Sequence, residues 1–382
     1  MRDHYHYKIY SSVTELPDTW NVFAVENIFL STDYLKVLDT SRPKNMTCHY
    51  IGLFDNEKLV GIALSQFLDL NKLGSFGERD NCFKTSVRNF VFRNFTSHVL
   101  FIGNNMLTGQ NAFVFSDALD IKEGISVLHK ATKELQSVFR KQGKKVHLTT
   151  FKDFFTGDQV ILDAPEFQSF YQFSTQPNMI FPISENWKNE DDYVSALSKK
   201  YRDQYKRAHK KLDGIEKRKM TLSDIEKHNA TINDLYNNVA KNAPFNTFFL
   251  AENHFYELKN QLGHNFLFYG YFLDNKLIGF NTLIKNGDTI DTYFLGYDDE
   301  HQREMMVYLN MLYDMIKYSI KKQYKEIIFA RTALEIKSSV GAKPFEMVGF
   351  MQHSNPLINR FIGKIFKSLE PETVWQERNP FK

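Results

Sequence analysis

Two stretches far apart in the chain spell nearly the same hairpin: LFDNEKLVGI at Leu53–Ile62 and FLDNKLIGF at Phe272–Phe280. In each, an apolar run ends in a polar turn bearing Asp and Asn, and a Lys opens a second apolar run closed by Gly. Asp55, Asn56, Lys58, Leu59 and Gly61 match Asp274, Asn275, Lys276, Leu277 and Gly279. A lone two-stranded hairpin is marginal in water, so each copy needs a sheet built around it. A repeat at that distance points to a duplicated unit. The 382 residues exceed the usual size of one domain, which agrees.

The surroundings of the two hairpins repeat as well. Around the first, Ser31–Thr40 reads as a helix, His49–Phe54 and Lys58–Leu68 as the hairpin, and His98–Ile102 as a third strand leading into GNNMLTG. Ile121–Lys141 carries Ile125, Leu128, Leu135 and Val138 at helical spacing, and GKKVHLTTF reads as a strand. Around the second, Asp224–Lys241 and Leu250–Leu262 read as helices and Phe266–Leu273 with Lys276–Lys285 as the hairpin. Thr289–Leu295 follows as a strand, Arg303–Lys321 as a helix and YKEIIFAR as a strand. The expected domains are therefore 1–175, with an insertion near 69–97 that reads as a loop or flap, and 176–382.

Composition narrows the classes. A net charge of +3 gives no global field that would demand nucleic acid, so any basic site is local. Cys48 and Cys82 have no metal-ligand partner at short spacing, which fits a reducing compartment and predicts no metal site. MRDHYHYKIY lacks the apolar run of a signal peptide, and no window holds 18 continuous apolar residues. A cytoplasmic protein is expected, with peripheral membrane contact left open. The 35 Phe suit large aromatic cores or a groove for an apolar, elongated ligand.

Three segments carry a resemblance. SKKYRDQYKRAHKK (Ser198–Lys211) is similar to the K-Y-R-x-x-x-x-R/K-A segment that opens the second domain of the Fem family of aminoacyl transferases. FLDNKLIGF, followed by an aromatic strand and LGYDDEHQ, resembles the central sheet of those proteins, and FARTALEIKSSVGAKPFEMVGF (Phe329–Phe350) resembles their late segment. The repeated order of elements resembles the GNAT acyltransferase fold. The resemblance implies an α/β (α+β) architecture of two tandem GNAT-like domains, each a mixed, mostly antiparallel sheet flanked by helices and splayed between two central strands.

It also implies chemistry: an acyl group passes from a thioester to an amine. That reaction needs a site for the donor's phosphates, a base for the amine and a donor for the oxyanion. Asp291, Tyr293 and Tyr297 alternate along one strand, so one face is expected to hold all three, either as an amine site or as a cross-strand hydrogen-bond set. Arg331 and Lys337, on the late segment, are expected to bind an acidic group or an oxyanion. The helix start YDDEHQREMM offers Gln302 and Arg303 to phosphate, but it lacks the family's glycines and carries Asp298, Asp299 and Glu300. In the first half, GNNMLTGQN offers Asn104 and Thr108 as an anion nest or as a plain Asn/Gly turn. Lys199, Arg202 and Lys206 lie on one helix face, which suits an anionic substrate or plain solvent. NRFIGKIFKSL (Asn359–Leu369) is basic and amphipathic, suited to a membrane or to packing. His254 and His301 show no partner.

The leading expectation is an N-acyltransferase with no permanently bound cofactor. Acyl-CoA or acyl carrier protein would be the co-substrate, and a primary amine the acceptor, on a lipid or cell-envelope precursor. Thr221–Leu262 has room for only two ordinary helices, not the long helical hairpin of tRNA-using Fem enzymes, which favours a thioester over aminoacyl-tRNA. The alternatives are a Fem-like tRNA-dependent transferase acting on a peptidoglycan precursor and a non-catalytic binding module.

Overall fold

The computed structural model describes residues 5–72, 96–174, 176–242, 246–369 and 375–382. Most of the expected insertion, with Cys82, lies outside the described residues. The strands are β1 (Tyr5–Tyr10), β2 (Met46–Asp55), β3 (Lys58–Asp69), β4 (His98–Ile102), β5 (Phe113–Phe115), β6 (Leu148–Phe155), β7 (Tyr171–Ser174) and β8 (Asn178–Pro182). They continue with β9 (Ile215–Lys219), β10 (Phe266–Leu273), β11 (Lys276–Asn286), β12 (Thr289–Thr292), β13 (Gly296–Tyr297), β14 (Glu326–Ala330), β15 (Lys343–Phe345) and β16 (Met347–His353).

The repeated hairpins are β2–β3 and β10–β11, and both bulge at the same place. Leu53 faces Gly61 and Phe54 faces Leu59, leaving Val60 as the extra residue. Tyr271 faces Gly279 and Phe272 faces Leu277, leaving Ile278. Asp55 pairs with Lys58 and Leu273 with Lys276, so the turns are Asn56-Glu57 and Asp274-Asn275. Asp55 and Asp274 are thus not structural counterparts, and the matching letters run one residue out of step before the Lys. Asn56, Asp274 and Asn275 take φ of 51°, 48° and 63°, a region these residue types tolerate. Gly61 and Gly279 are counterparts: each lies opposite the short strand that crosses next, at Phe115 and Tyr297. A Cβ on Gly61 would stand 2.7 Å from Phe115 Cδ1.

The first sheet runs β1-β2-β3-β4-β6-β16-β7, with β5 on β3; the second runs β9-β10-β11-β12-β14-β8-β15, with β13 on β11. The order is the same slot by slot. Each sheet has one parallel pair, β4 with β6 and β12 with β14, and is otherwise antiparallel. Helix Ile121–Lys141 packs on the first sheet, started by Asp120, whose carboxylate accepts from the Lys122 and Glu123 amides. Helix Val307–Lys321 holds the same place on the second. Each wholly buried Leu or Phe in these cores contributes roughly 1.5–3 kcal/mol.

The chain divides into two units, Met1–Thr175 with Pro244–Ala251 and Glu346–Glu372, and Gln176–Ala243 with Glu252–Phe345 and Thr373–Lys382. The expected second domain, 176–382, is therefore not contiguous. β16 inserts between β6 and β7 of the first sheet, while β8 fills the equivalent slot between β14 and β15 of the second. Two expected helices are also broken. Asp224–Lys241 becomes Leu222–Lys227 and Asn229–Asn242, and Arg303–Lys321 becomes Asp299–Met305 and Val307–Lys321, with Met306 left-handed at φ 52° between them. Among the described residues no helix is long and apolar enough to cross a membrane.

Candidate active site

The second sheet opens after its parallel pair. Thr289–Asp291 run beside Glu326–Ile328, and the Thr292 hydroxyl donates to the Ile328 carbonyl at 3.0 Å. From there the chain leaves β14 for β13, which bonds only along β11. Between Thr292 (opposite Leu283) and Gly296 (opposite Phe280), three residues, Tyr293 to Leu295, span two on β11. Such a bulge re-aims the side chains beyond it. Gly296 fits because helix Asn229–Asn242 presses against it: a Cβ there would stand 2.5 Å from Phe280 Cε1 and 2.6 Å from backbone atoms of Leu235 and Tyr236.

The expectation of a single face holding Asp291, Tyr293 and Tyr297 is corrected by this bulge. Asp291 is opposite Ile284 and Tyr297 opposite Gly279, an odd number of residues apart on a regular strand, so the two side chains point to opposite faces. Asp291 and Tyr293 share one face. Tyr293 meets a residue with no visible sequence signal: the His254 ring, fully buried, lies with Nε2 3.0 Å from the Tyr293 hydroxyl. Tyr297 turns to the other side, its ring 6.1 Å from that of Tyr308. Burial pushes the Asp291 carboxyl up to about 7, against the Asn286 amide, which donates to it at 3.3 Å, and with help from the Glu326 charge.

Lys337, on the short helix Leu334–Ser339, reaches back to the end of β14. Its ammonium donates to the carbonyls of Phe329, Ala330 and Arg331 at 2.6, 3.2 and 2.6 Å. These oxygens converge because the chain curls left-handed, with φ of 58° at Ala330, 67° at Thr332 and 47° at Ala333. The side chain is buried, and burial pushes its amine down to about 7. Arg331 is half-buried and its Nε donates to the Gln176 carbonyl at 3.1 Å. Burial thus pushes one carboxyl and one amine toward neutrality, Asp291 in the last rung of the parallel ladder before the opening and Lys337 at the end of β14.

The phosphate expectations meet a different fate. Gln302 Oε1 accepts from the Tyr308 amide at 3.4 Å, and Asn310 Nδ2 donates to the Ala208, Met305 and Met306 carbonyls. One amide at the start of helix Val307–Lys321, that of Tyr308, is thus already bonded within the chain, and Arg303 is exposed beside it. In the first sheet the equivalent opening is filled. Lys152 Nζ reaches from β6 to the Asn104 and Leu107 carbonyls, 3.0 Å each, and pairs with Asp153 at 2.5 Å. Asn104 is wholly buried and bonded to Gln66, Tyr34 and the Met106 amide, so it anchors a loop and presents nothing to an anion. Thr108 is half-buried, its carbonyl accepting from Asn111.

On helix Lys199–Lys211, Lys199 and Lys206 are exposed, whereas the Arg202 guanidinium turns back to the Leu197 carbonyl. His301 pairs with Asp298 at 2.8 Å, the cap of the short helix Asp299–Met305. Among the described residues no group of three or more His, Cys, Asp or Glu is arranged to hold a metal.

No family model and no curated protein matches the chain. Solved structures do. A crystal structure of FemX aligns over 93% of this chain and 99% of its own, with a TM-score of 0.56 at 12% identity. A tandem GNAT protein from the clavulanic acid biosynthesis pathway aligns over 92% and 99%, with 0.50 at 9%. A conserved protein from Bacteroides thetaiotaomicron aligns over 89% and 97%, with 0.50 at 13%. At such identities the likeness concerns architecture, and it agrees with the paired slot order of the two sheets: the chain has a tandem GNAT, Fem-like fold.

Proposed function

We propose that the chain is a transferase that moves an acyl or aminoacyl group onto a primary amine at the opening between β12–β13 and β14. The observation that carries this reading is Asp291, a buried carboxyl held near neutrality on the strand that borders the opening. As carboxylate it takes a proton from the incoming ammonium. The neutral amine then attacks the donor carbonyl; a C–N bond forms, and the C–S bond of a thioester breaks, its electron pair leaving on sulfur to be protonated as thiol. The Tyr293–His254 pair on the same face orients the amine, and Lys337 holds the curl of β14 that forms the far wall.

The donor we favour is a thioester on a carrier protein, with free acyl-CoA second. Gln302 already takes the Tyr308 amide at the helix start where a pyrophosphate would be gripped. Exposed Lys199 and Lys206 suit an acidic carrier, and the same cations favour the second reading, an aminoacyl-tRNA donor. A lipid or cell-envelope precursor remains the proposed acceptor.

The test offers labelled acyl carrier protein, acyl-CoA and aminoacyl-tRNA, each with a panel of primary amines, and reads amide product by mass spectrometry. Transfer from one donor, lost in Asp291→Asn, is expected. No product from any donor, or full turnover in Asp291→Asn, overturns the reading.

A further inference from the structure

The C-terminal return of the first unit ends in two short helices, Pro356–Asn359 and Ile362–Leu369, joined by a tight turn in which Arg360 N bonds Pro356 O, Phe361 N bonds Ile358 O and Ile365 N bonds Phe361 O. One side of this segment is committed to the sheet. Ile362 is buried, the Phe366 ring lies 5.4 Å from Phe173 and 6.3 Å from Tyr171, and a Cβ on Gly363 would stand 2.8 Å from Tyr171 Cε2. Leu357 and Phe361 are not spent this way. Leu357 is 76% exposed and Phe361, in the turn after the first helix, is 51% exposed.

Beside them runs a row of cations. Arg360, Lys364 and Lys367 recur every three or four residues and are all exposed. They line a shallow cleft of about 390 Å³ with Gln168, Ser169 and Tyr171, and no carboxylate of a described residue lines it. Two exposed apolar side chains next to three clustered cations match an anionic bilayer, whose headgroups take the charges while its acyl boundary takes Leu357 and Phe361.

We propose that this segment is a docking surface for an anionic lipid bilayer, with the cleft between Ser169 and Lys367 receiving a phosphate headgroup. The surface belongs to the first unit alone, so it stands or falls independently of the chemistry assigned to the second.

The full chain is mixed with vesicles of phosphatidylcholine alone or of phosphatidylcholine with phosphatidylglycerol, and bound protein is read by co-flotation. Binding to the anionic vesicles only, weakened by salt, is expected. Changing Arg360, Lys364 and Lys367 together to Ser weakens it about a hundredfold, at about fivefold for each cation held near the surface. Arg360→Lys with Lys364→Arg and Lys367→Arg keeps it. Leu357→Ser with Phe361→Ser weakens binding but leaves its salt dependence unchanged. Circular dichroism checks that each variant is folded. Equal binding to neutral vesicles, unchanged binding in the triple Ser variant, or no binding to either vesicle overturns the proposal. So does binding of free glycerol phosphate as tight as that of vesicles, which would mark a small-phosphate site. Retention of an acidic polypeptide or tRNA in place of vesicles overturns it too, because the surface would then serve a macromolecular partner.

Discussion

Replacing Lys337 by Met keeps the length of the side chain and removes the amine. The free amine titrates at 10.5, whereas in the fold burial brings it to about 7. The sign follows from proton counting. Below pH 7 both folded and unfolded chains hold the proton, and the full cost of burying the charge is present. Between 7 and 10.5 the unfolded chain holds a proton that the folded chain has released, so stability rises with pH; above 10.5 the cost is gone. The whole interval corresponds to about 5 kcal/mol, and pH 7 to 9 spans about 3 kcal/mol of it. Lys337→Met lacks this rise. The assay is urea unfolding followed by fluorescence of Trp187 and Trp375, which pack on the second core, in a Trp20→Phe background so that only the second unit reports. The advantage of the parent over the variant is expected to grow by about 3 kcal/mol between pH 7 and 9. A constant difference would refute the reasoning. It would mean that the carbonyls of Phe329, Ala330 and Arg331 hold the ammonium as well as water does, and that Lys337 is a fixed structural cation.

Asp291→Asn tests the opposite slope. Burial raises the carboxyl from 3.8 to about 7, so its stabilising contribution is full below 3.8 and lost as pH rises through 7; the Asn variant escapes that loss and gains up to about 4 kcal/mol on the parent between pH 4 and 7, read by the same urea midpoints. Gly296→Ala forces a Cβ into Phe280 and the backbone of Leu235 and Tyr236, and should cost about 1–3 kcal/mol by thermal or urea unfolding; a variant as stable as the parent would show that the bulge is slack. Tyr293→Phe removes the bond to His254 and should cost about 1 kcal/mol, with a larger fall in amide formation than in stability if the pair orients substrate.

Much of the fold was legible because it repeats and because period and punctuation agree. Ile121–Lys141 is a helix over the range its apolar spacing marks, and Phe266–Leu273 is a strand over the range expected. The expected Thr289–Leu295 strand stops at Thr292, because alternation along a sequence assumes one residue per pleat and an inserted residue leaves no letter of its own. That single residue moved Tyr297 to the other face and left Asp291 and Tyr293 together. His254 was invisible because its partner lies 39 residues away, a meeting set by packing alone. Asn104 looked like a ligand residue because Asn and Gly serve a buried loop anchor and an anion nest equally well; only the bonds to Gln66 and Tyr34 separate the two.

The sequence by itself determined that one hairpin occurs twice and that each copy sits in its own mixed sheet. Lys58 and Lys276 after the turn, with Gly61 and Gly279 where a strand must cross closely, are local requirements that local letters can state. The tertiary structure decided which strands complete those sheets and which side chains face the opening. β8 and β16 are largely buried strands that take the equivalent slot, each in a different sheet, and burial alone does not say which sheet each joins. The assignment comes from backbone hydrogen bonds to β6 and β7 on one side and to β14 and β15 on the other, made by neighbours far away in the chain. The openings differ for the same reason: Lys152 closes the first by bonding carbonyls across it, whereas Lys337, from helix Leu334–Ser339, gathers the carbonyls at the end of β14.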